Sequence, residues 1–365
     1  MPIFNGSLNT NKIYNGTIAN AIFNMIISQT VYDLNVTPNT QLLDMFKEEV
    51  AGYGDKKLFY FTDVLKSRDF IAGIETTNQN VLETHRPKDI TVQEIVLDNV
   101  RQVEVTVDDF LVKQGFQTEG AYSQLMSVFQ SALEKTKQIH LAQTVNTFIG
   151  TDKNAVPATD GGNYTNGTYS ITISDDTNKE AMGAEIAEGI SNLLTALSDI
   201  SRDYTDDKYL RSFSADQLVV VWNAKYSNLI QKRVLPFLFG PDKLTNGIKF
   251  DNVVLPARYF GSVSAATSSV ENARTLKEIE IAGKNYFPGD VLPTSSTVAE
   301  GSTYTVDDKV ICKVVAKDAI KMLTAYNTTE SFRNARAHNT NYYMCFGYST
   351  PEHLVDFPVI EVKEA

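Results

Sequence analysis

The chain has 365 residues, 42% of them hydrophobic and 21% charged, the composition of a folded soluble protein long enough for two or three domains. Its formal net charge of −11 excludes a general attraction to nucleic-acid phosphates, and no Lys/Arg run marks a local basic patch. No stretch reaches the ~18 apolar residues of a membrane span, Met1 to Asn11 lacks the basic start and apolar run of a secretion signal, and the chain reads as cytosolic.

In chain order, residues 1–40 are rich in asparagine and offer one short amphipathic piece, Ile18, Ile22, Met25 and Ile26, too little to bury itself alone. A short helix is predicted from Thr40 to Val50, with Leu42, Leu43, Phe46 and Val50 on one face. Strand-like text follows at Leu58–Phe61, Ile90–Leu97 and Arg101–Val107, and the polar stretch 75–89 between the first two reads as an exposed loop or hairpin tip. In the third of these strands Val103, Val105 and Val107 alternate with Gln102, Glu104 and Thr106, a two-residue period with one wet face. From Tyr122 the period changes: Leu125, Met126, Phe129, Ala132, Leu133, Leu141, Val145 and Phe148 recur at helical spacing. Thr118 as N-cap and Gly150 as the residue past the C-terminus bound a helix on the order of 45 Å. That is about three times the length of a mean helix.

Residues 151–176 are rich in Gly, Asn, Thr and Asp, and Asn166-Gly167 predicts a small hairpin leading into Tyr169–Ile173. A second amphipathic helix is predicted from Asn178 to Ile200, with Met182, Ile186, Ile190, Leu193, Leu194 and Leu197 along one stripe. Leu218–Trp222 is a continuous apolar run, the mark of a strand covered on both faces, and runs into a helix predicted over Asn223–Lys232. Phe250–Leu255 and Val310–Val315 are further buried strands, which with the helix imply a mixed α/β layer in the middle of the chain. Ser262–Thr303 is low in core residues and belongs at a surface, and Tyr342–Tyr348 and Val359–Val362 are closing strands.

The inventory of reactive groups is thin. His85, His140, His338 and His353 are not spaced as metal ligands, and no nucleophile elbow, phosphate loop or dinucleotide fingerprint is present. Asp108 and Asp109 face opposite sides of a strand and cannot share a proton; Asp175-Asp176 and Asp206-Asp207 read as solvated turns. Trp222, Tyr342, Tyr343, Phe346 and Tyr348 read as core or interface packing rather than a ligand pocket. Cys312 and Cys345 read as small, reduced, buried hydrophobes, and the Asn-x-Ser/Thr triplets at Asn5, Asn15, Asn35, Asn163, Asn166 and Asn327 as chance matches. No catalytic, cofactor-binding or metal-ligating residue is assigned.

This order of parts resembles the major capsid proteins of tailed bacteriophages, the Hong Kong 97-type shell fold. The resemblance rests on layout across nearly the whole chain, and no short motif carries it. It implies an α+β protein with an N-terminal arm at 1–54, an extended β-hairpin loop at 55–116, a peripheral domain with its spine helix at 117–177 and 331–365, and an axial domain at 178–330. Arg101–Val107 would be the descending strand of the extended loop, and Arg333–Tyr348, an Arg-rich segment leading into an aromatic strand, would be the final return. Many copies arranged as pentamers and hexamers would form an icosahedral head around double-stranded DNA, with a separate scaffolding protein and a portal as partners, assembled in the host bacterial cytoplasm. No cofactor, membrane partner or sequence-specific nucleic-acid contact is implied. Lys56, Lys57, Lys66 and Lys88 lie where some relatives cross-link neighbouring subunits, and Arg86, Lys88 and Asp89 at the loop tip are the residues expected to make charge contacts between subunits. An encapsulin-like nanocompartment subunit is the alternative within the fold, to be told apart by neighbouring portal and terminase genes. An enzyme would need a convergent cluster of perturbed groups in a deep pocket, and a tail protein would need repeats or more β content.

Overall fold

The computed structural model describes residues 37–50, 52, 54–67, 86, 90–108, 119–155, 164–175, 177–229, 251–263, 273–293, 298–299 and 301–365. They divide between two compact units. The larger takes Asn39–Asn99, His140–Thr324 and Tyr348–Ala365; the described part of the smaller lies mainly in Val100–Ile139 and Ala325–Gly347.

At the centre of the larger unit is a six-stranded sheet in the order Tyr164–Thr165, Thr168–Ile171, Val359–Glu364, Val310–Ala316, Leu218–Asn223 and Asp251–Leu255. Val310–Ala316 pairs antiparallel with both its neighbours, setting Val314 opposite Val220 on one side and Ile360 on the other. The predicted run Leu218–Trp222 is this kind of strand: Leu218, Val219, Val220 and Val221 are fully buried. At one edge, Asn166 and Gly167 take positive φ of 48° and 73° between two antiparallel strands, the hairpin turn predicted from the Asn-Gly pair. A side chain at position 167 would also meet the carbonyl of Asn154 at 2.1 Å, so two separate constraints select glycine there.

The helix Lys179–Ser198 is capped by Asn178, whose Oδ1 accepts from the amides of Glu180 and Ala181, and all six residues of its predicted stripe are buried. The helix predicted over Thr40–Val50 is cut to Gln41–Phe46. Leu42, Leu43 and Phe46 are buried as expected, but at Lys47 the chain turns extended and Lys47–Glu49 pairs in parallel with Met322–Thr324. Hydrogen bonds offered by an existing sheet edge outweigh a weak helical preference there. Ala224–Leu229 is helical, and the rest of the helix predicted to Lys232 lies outside the described residues. The stretch Ser262–Thr303 is less superficial than its composition suggests. Arg274–Thr275 and Gly261–Val263 flank Thr303–Val306 in a small sheet that buries Thr275 and Tyr304.

The long helix spans Glu119–Thr151, 33 residues or about 50 Å. Thr118 lies outside the described residues. Gly150 does not terminate the helix: it is helical, and a Cβ there would sit 2.1 Å from the carbonyl oxygen of Tyr259. Its glycine is required by a close approach of two backbones rather than by a left-handed cap. Thr151 closes the helix instead, its hydroxyl donating to the carbonyl of Thr147 while the Asp152 amide donates to that of Phe148.

In the smaller unit, Asn339–Tyr348 lies between Ile320–Asn334 and Asn99–Asp108. Asn99–Asp108 has the predicted wet face, with Gln102, Glu104 and Thr106 exposed and Val107 buried. Its partner differs from the expectation. The strand hydrogen-bonded to Lys56–Thr62 is Ile90–Val96, so Ile90–Val96 and not Arg101–Val107 is the descending strand of that hairpin. A two-residue period identifies a strand but not its neighbour. A second regrouping concerns the end of the chain: Val359–Glu364, assigned by sequence to the peripheral part, lies in the same sheet as Leu218–Asn223 and Val310–Ala316.

Candidate assembly interface

Lys56–Thr62 and Ile90–Val96 form a two-stranded antiparallel stem in which Tyr60 faces Val92 and Phe61 faces Thr91. The face turned inward is anchored by packing and by specific polar contacts. Phe61 and Ile95 are buried, and the Phe61 ring meets Phe357 edge to face at 6.2 Å. Thr91 and Tyr209 share a hydroxyl hydrogen bond of 2.8 Å, while Gln93 donates to the carbonyl of His353 and accepts from the amide of Val355. The outward face carries Leu58, Tyr60, Ile90 and Val92, all exposed, Tyr60 to 65%, flanked by a Lys56–Glu94 ion pair of 2.6 Å. The polarity is inverted: the wet face is the more apolar one, a pattern that marks a surface awaiting a partner.

Two arginines hold the foot of this stem. Arg202 donates to Asp63 at 2.6 Å, and the Leu210 amide donates to the same carboxylate. The bond from Arg202, joined by that from Leu210, holds the Asp63 acid at about 2, well below its ordinary value. Arg211 donates to the carbonyl of Thr62 at 2.7 Å and to Asp356 at 2.9 Å. Lys57 pairs with Glu48, so of the lysines in this segment Lys56 and Lys57 are engaged within the chain, while Lys66 is exposed. Of the three tip residues expected to make subunit contacts, Arg86 is exposed, and Lys88 and Asp89 lie outside the described residues.

Sequence reasoning missed a buried charge network in the central sheet. Lys313, fully buried, lies directly across the strand pair from Glu361 and donates to it at 3.0 Å and to the carbonyl of Asp152 at 2.7 Å. Lys153 and Lys363 each approach the same carboxylate at 3.5 Å, and Lys363 also pairs with Asp307. Burial raises the Glu361 acid, but the lysines, Lys313 foremost, more than reverse this and leave it below its ordinary range. Burial lowers the Lys313 amine, and Glu361 only partly restores it. The signal available in the sequence was a lone charge inside each of two apolar runs, Val310–Ala316 and Val359–Val362.

His353 connects this network to the turn around Asp206. Its Nε2 lies 2.9 Å from the carbonyl of Phe357, which only accepts, so Nε2 carries a proton and Nδ1 faces Asp152 at 3.6 Å and Asp206 at 3.9 Å. Burial raises the Asp152 acid against the pull of His353 and Lys313. Asp206 is not a purely solvated turn residue, because it accepts from the amide of Ala155 and from Asn154. His140 is buried in the long helix with Nδ1 2.9 Å from Glu278. Cys312 and Cys345 are free thiols, the first buried and its acid pushed up by that burial. Phe346 and Tyr348 are buried, and Trp222 donates from Nε1 to Asn252 at 2.9 Å. Among the described residues no group of three or more His, Cys, Asp or Glu is placed to hold a metal ion, and no helix is long and apolar enough to cross a membrane.

A spine helix of 33 residues, an anchored two-stranded stem that turns its apolar face outward, and polar clusters consumed by internal pairing define a structural shell subunit of the Hong Kong 97-like fold. The family model of the Phi29-like phage major capsid proteins matches residues 3–349, and the chain belongs to that family. Its fold is shared with a chain of the capsid structure of Staphylococcus phage Andhra, 13% identical, TM-score 0.63, covering 92% of this chain and 87% of that one. A chain in the structure of head fiber and inner core protein of native bacteriophage P68 is 10% identical, TM-score 0.58, with coverage of 92% and 88%. A chain from the mature capsid of bacteriophage PhiM1 is also 10% identical, TM-score 0.53, with coverage of 92% and 90%. No curated protein matches the chain. The protein is a major capsid protein: it self-assembles as the coat of an icosahedral phage head, and its place is the capsid of the virion.

Proposed function

We propose that this coat is built from pentamers and hexamers of the chain around double-stranded DNA, nucleated with a separate scaffolding protein and a portal in the host bacterial cytoplasm, and that the chain has no catalytic role. The observation that carries the reading is the inverted polarity of the stem, whose exposed Leu58, Tyr60, Ile90 and Val92 are stable in water only at a cost that a neighbouring subunit removes. In this reading residues 1–54 act as an arm and the extended loop reaches a neighbour, with Arg86, Lys88 and Asp89 making charge contacts at its tip. The net charge of −11 suits a shell that encloses DNA without adhering to it. Co-production with the scaffolding partner should yield closed particles by electron microscopy. A persistently monomeric product under those conditions would sink the proposal. An encapsulin-like compartment is not favoured by the family to which the chain belongs.

A further inference from the structure

The small sheet of Gly261–Val263, Arg274–Thr275 and Thr303–Val306, with the turn before it, brings two arginines to one place without a counter-charge. Arg258 is held by a neutral partner. Its Nη2 donates to the hydroxyl of Tyr259 at 2.7 Å, and its guanidinium lies 4.7 Å from the centroid of that ring. Arg274 is held in the same way, its Nη1 donating to the carbonyl of Gly289 at 2.6 Å. Gly289 joins the two. It takes a φ of 90°, and a Cβ there would lie 3.0 Å from Cε1 of Tyr259 and 3.5 Å from the hydroxyl oxygen of Thr147. Tyr304 donates from its hydroxyl to the carbonyl of Arg258 at 2.8 Å. Burial raises the Tyr304 acid, and Arg274 and Arg258 draw it back, so both guanidiniums stand near its phenol.

Three groups in this cluster have donors to spare. Neither arginine makes an ion pair among the described residues, and Nε of Arg258 is buried without an acceptor. Thr147 is fully buried on the long helix, and its hydroxyl also lacks a hydrogen bond of normal geometry. Two acids of the same region are engaged elsewhere: Glu278 faces His140, and Asp290 Oδ2 accepts from the amide of Phe287. In a chain whose net charge is −11, two arginines without a carboxylate are an anomaly. Cations grouped beside a buried donor cost free energy that an anion removes.

We propose that Arg258, Arg274 and the Thr147 hydroxyl form a binding site for a free oxyanion of the phosphate type. The charge selects a dianion, since two guanidiniums answer two negative charges. The donors select a tetrahedral group over a carboxylate, because two forked guanidiniums and a hydroxyl offer more hydrogens than two oxygens accept. Two cations fall well short of the about 6–10 phosphate contacts on which nucleic-acid binding relies. Each guanidinium is already fixed at one nitrogen, so little side-chain freedom remains to be lost on binding.

The test needs no particle and is independent of the shell reading. The full-length unassembled chain is titrated calorimetrically with inorganic phosphate in a buffer free of other oxyanions. Saturable binding of one phosphate per chain is expected, and its absence would overturn the proposal. Arg258→Gln with Arg274→Gln should weaken binding at least about a hundredfold, and Thr147→Val about tenfold, with the circular dichroism of the wild type. Thr147→Val keeps the shape of the native side chain and decides the assignment if the arginine variant does not fold. Unchanged affinity in either folded variant would overturn the site. A short single-stranded oligonucleotide should leave phosphate bound; displacement through the same arginines would assign the cluster to nucleic acid and overturn the free-anion reading.

Discussion

Two sheets in the larger unit handle apolar surface in opposite ways. The strands Leu218–Asn223 and Val310–Ala316 are covered on both faces, and even the buried charge of Lys313 is answered by Glu361 within the chain. The stem of Lys56–Thr62 and Ile90–Val96 is covered on one face only, and spends its polar side chains inward, on Tyr209, His353 and Val355, while Leu58, Tyr60, Ile90 and Val92 face water. The first sheet is finished when the subunit folds; on the reading proposed above, the second is finished when the shell forms. On that reading stability of the subunit and competence to assemble reside in different residues, and each should be changeable without the other.

The largest effect separating them is expected at Glu361. Glu361→Ala leaves a fully buried lysine without its partner and should cost about 3–5 kcal/mol, read from urea unfolding of the unassembled subunit. The paired replacement Lys313→Met with Glu361→Leu should recover most of that loss, because two apolar side chains need no compensation. A double variant as unstable as the single one would show that the network has a role beyond its own neutrality. Arg211→Ala should cost less, about 1–3 kcal/mol, since it strands Asp356 and frees the carbonyl of Thr62. Hydrogen exchange in Lys56–Thr62 should rise in that variant while the central sheet stays protected.

Tyr60→Ser should move subunit stability by less than about 0.5 kcal/mol and still reduce particle yield, the reverse of the pattern at Glu361. The smallest effect is one of pH. Asp63, held at about 2, contributes stability that is complete above its unfolded value, about 3.9, and is lost as pH falls between the two. Glu361, also depressed, acts in the same direction, whereas Asp152, raised by burial, favours the folded state as pH falls and partly offsets them. Asp63→Asn should therefore flatten the acid limb of the stability curve between about pH 4 and pH 2, measured by denaturant midpoint at each pH.

Periodicity carried most of the fold. The stripe from Met182 to Leu197, the run Leu218–Trp222 and the Asn166-Gly167 turn could be read because each is a local pattern that burial or backbone sterics alone decides. What stayed hidden depends on partners distant in sequence. Arg101–Val107 announces a strand but not that Asn339–Tyr348 is its neighbour. Gly150 has the composition of a helix stop and the geometry of a backbone crossing with Tyr259. Lys313 and Glu361 are each anomalous alone, and only the register explains both. For the interface, the exposed stem face was illegible because Leu58, Tyr60, Ile90 and Val92 look like core residues, and only the anchoring of Thr91 and Gln93 fixes which side is wet.

The position of Val359–Glu364 has a consequence for how the chain is made. It is the last of the six strands to leave the ribosome, yet it is inserted between Thr168–Ile171 and Val310–Ala316 rather than added at an edge. Until it arrives, two strands of the nascent chain present unpaired backbone, and Lys313 waits in an apolar surrounding for its counter-charge. Closure of the sheet is thus a late, long-range event, of the kind that folds slowly and exposes sticky intermediates. The interval before that final strand docks leaves two strand edges open to pairing with another chain.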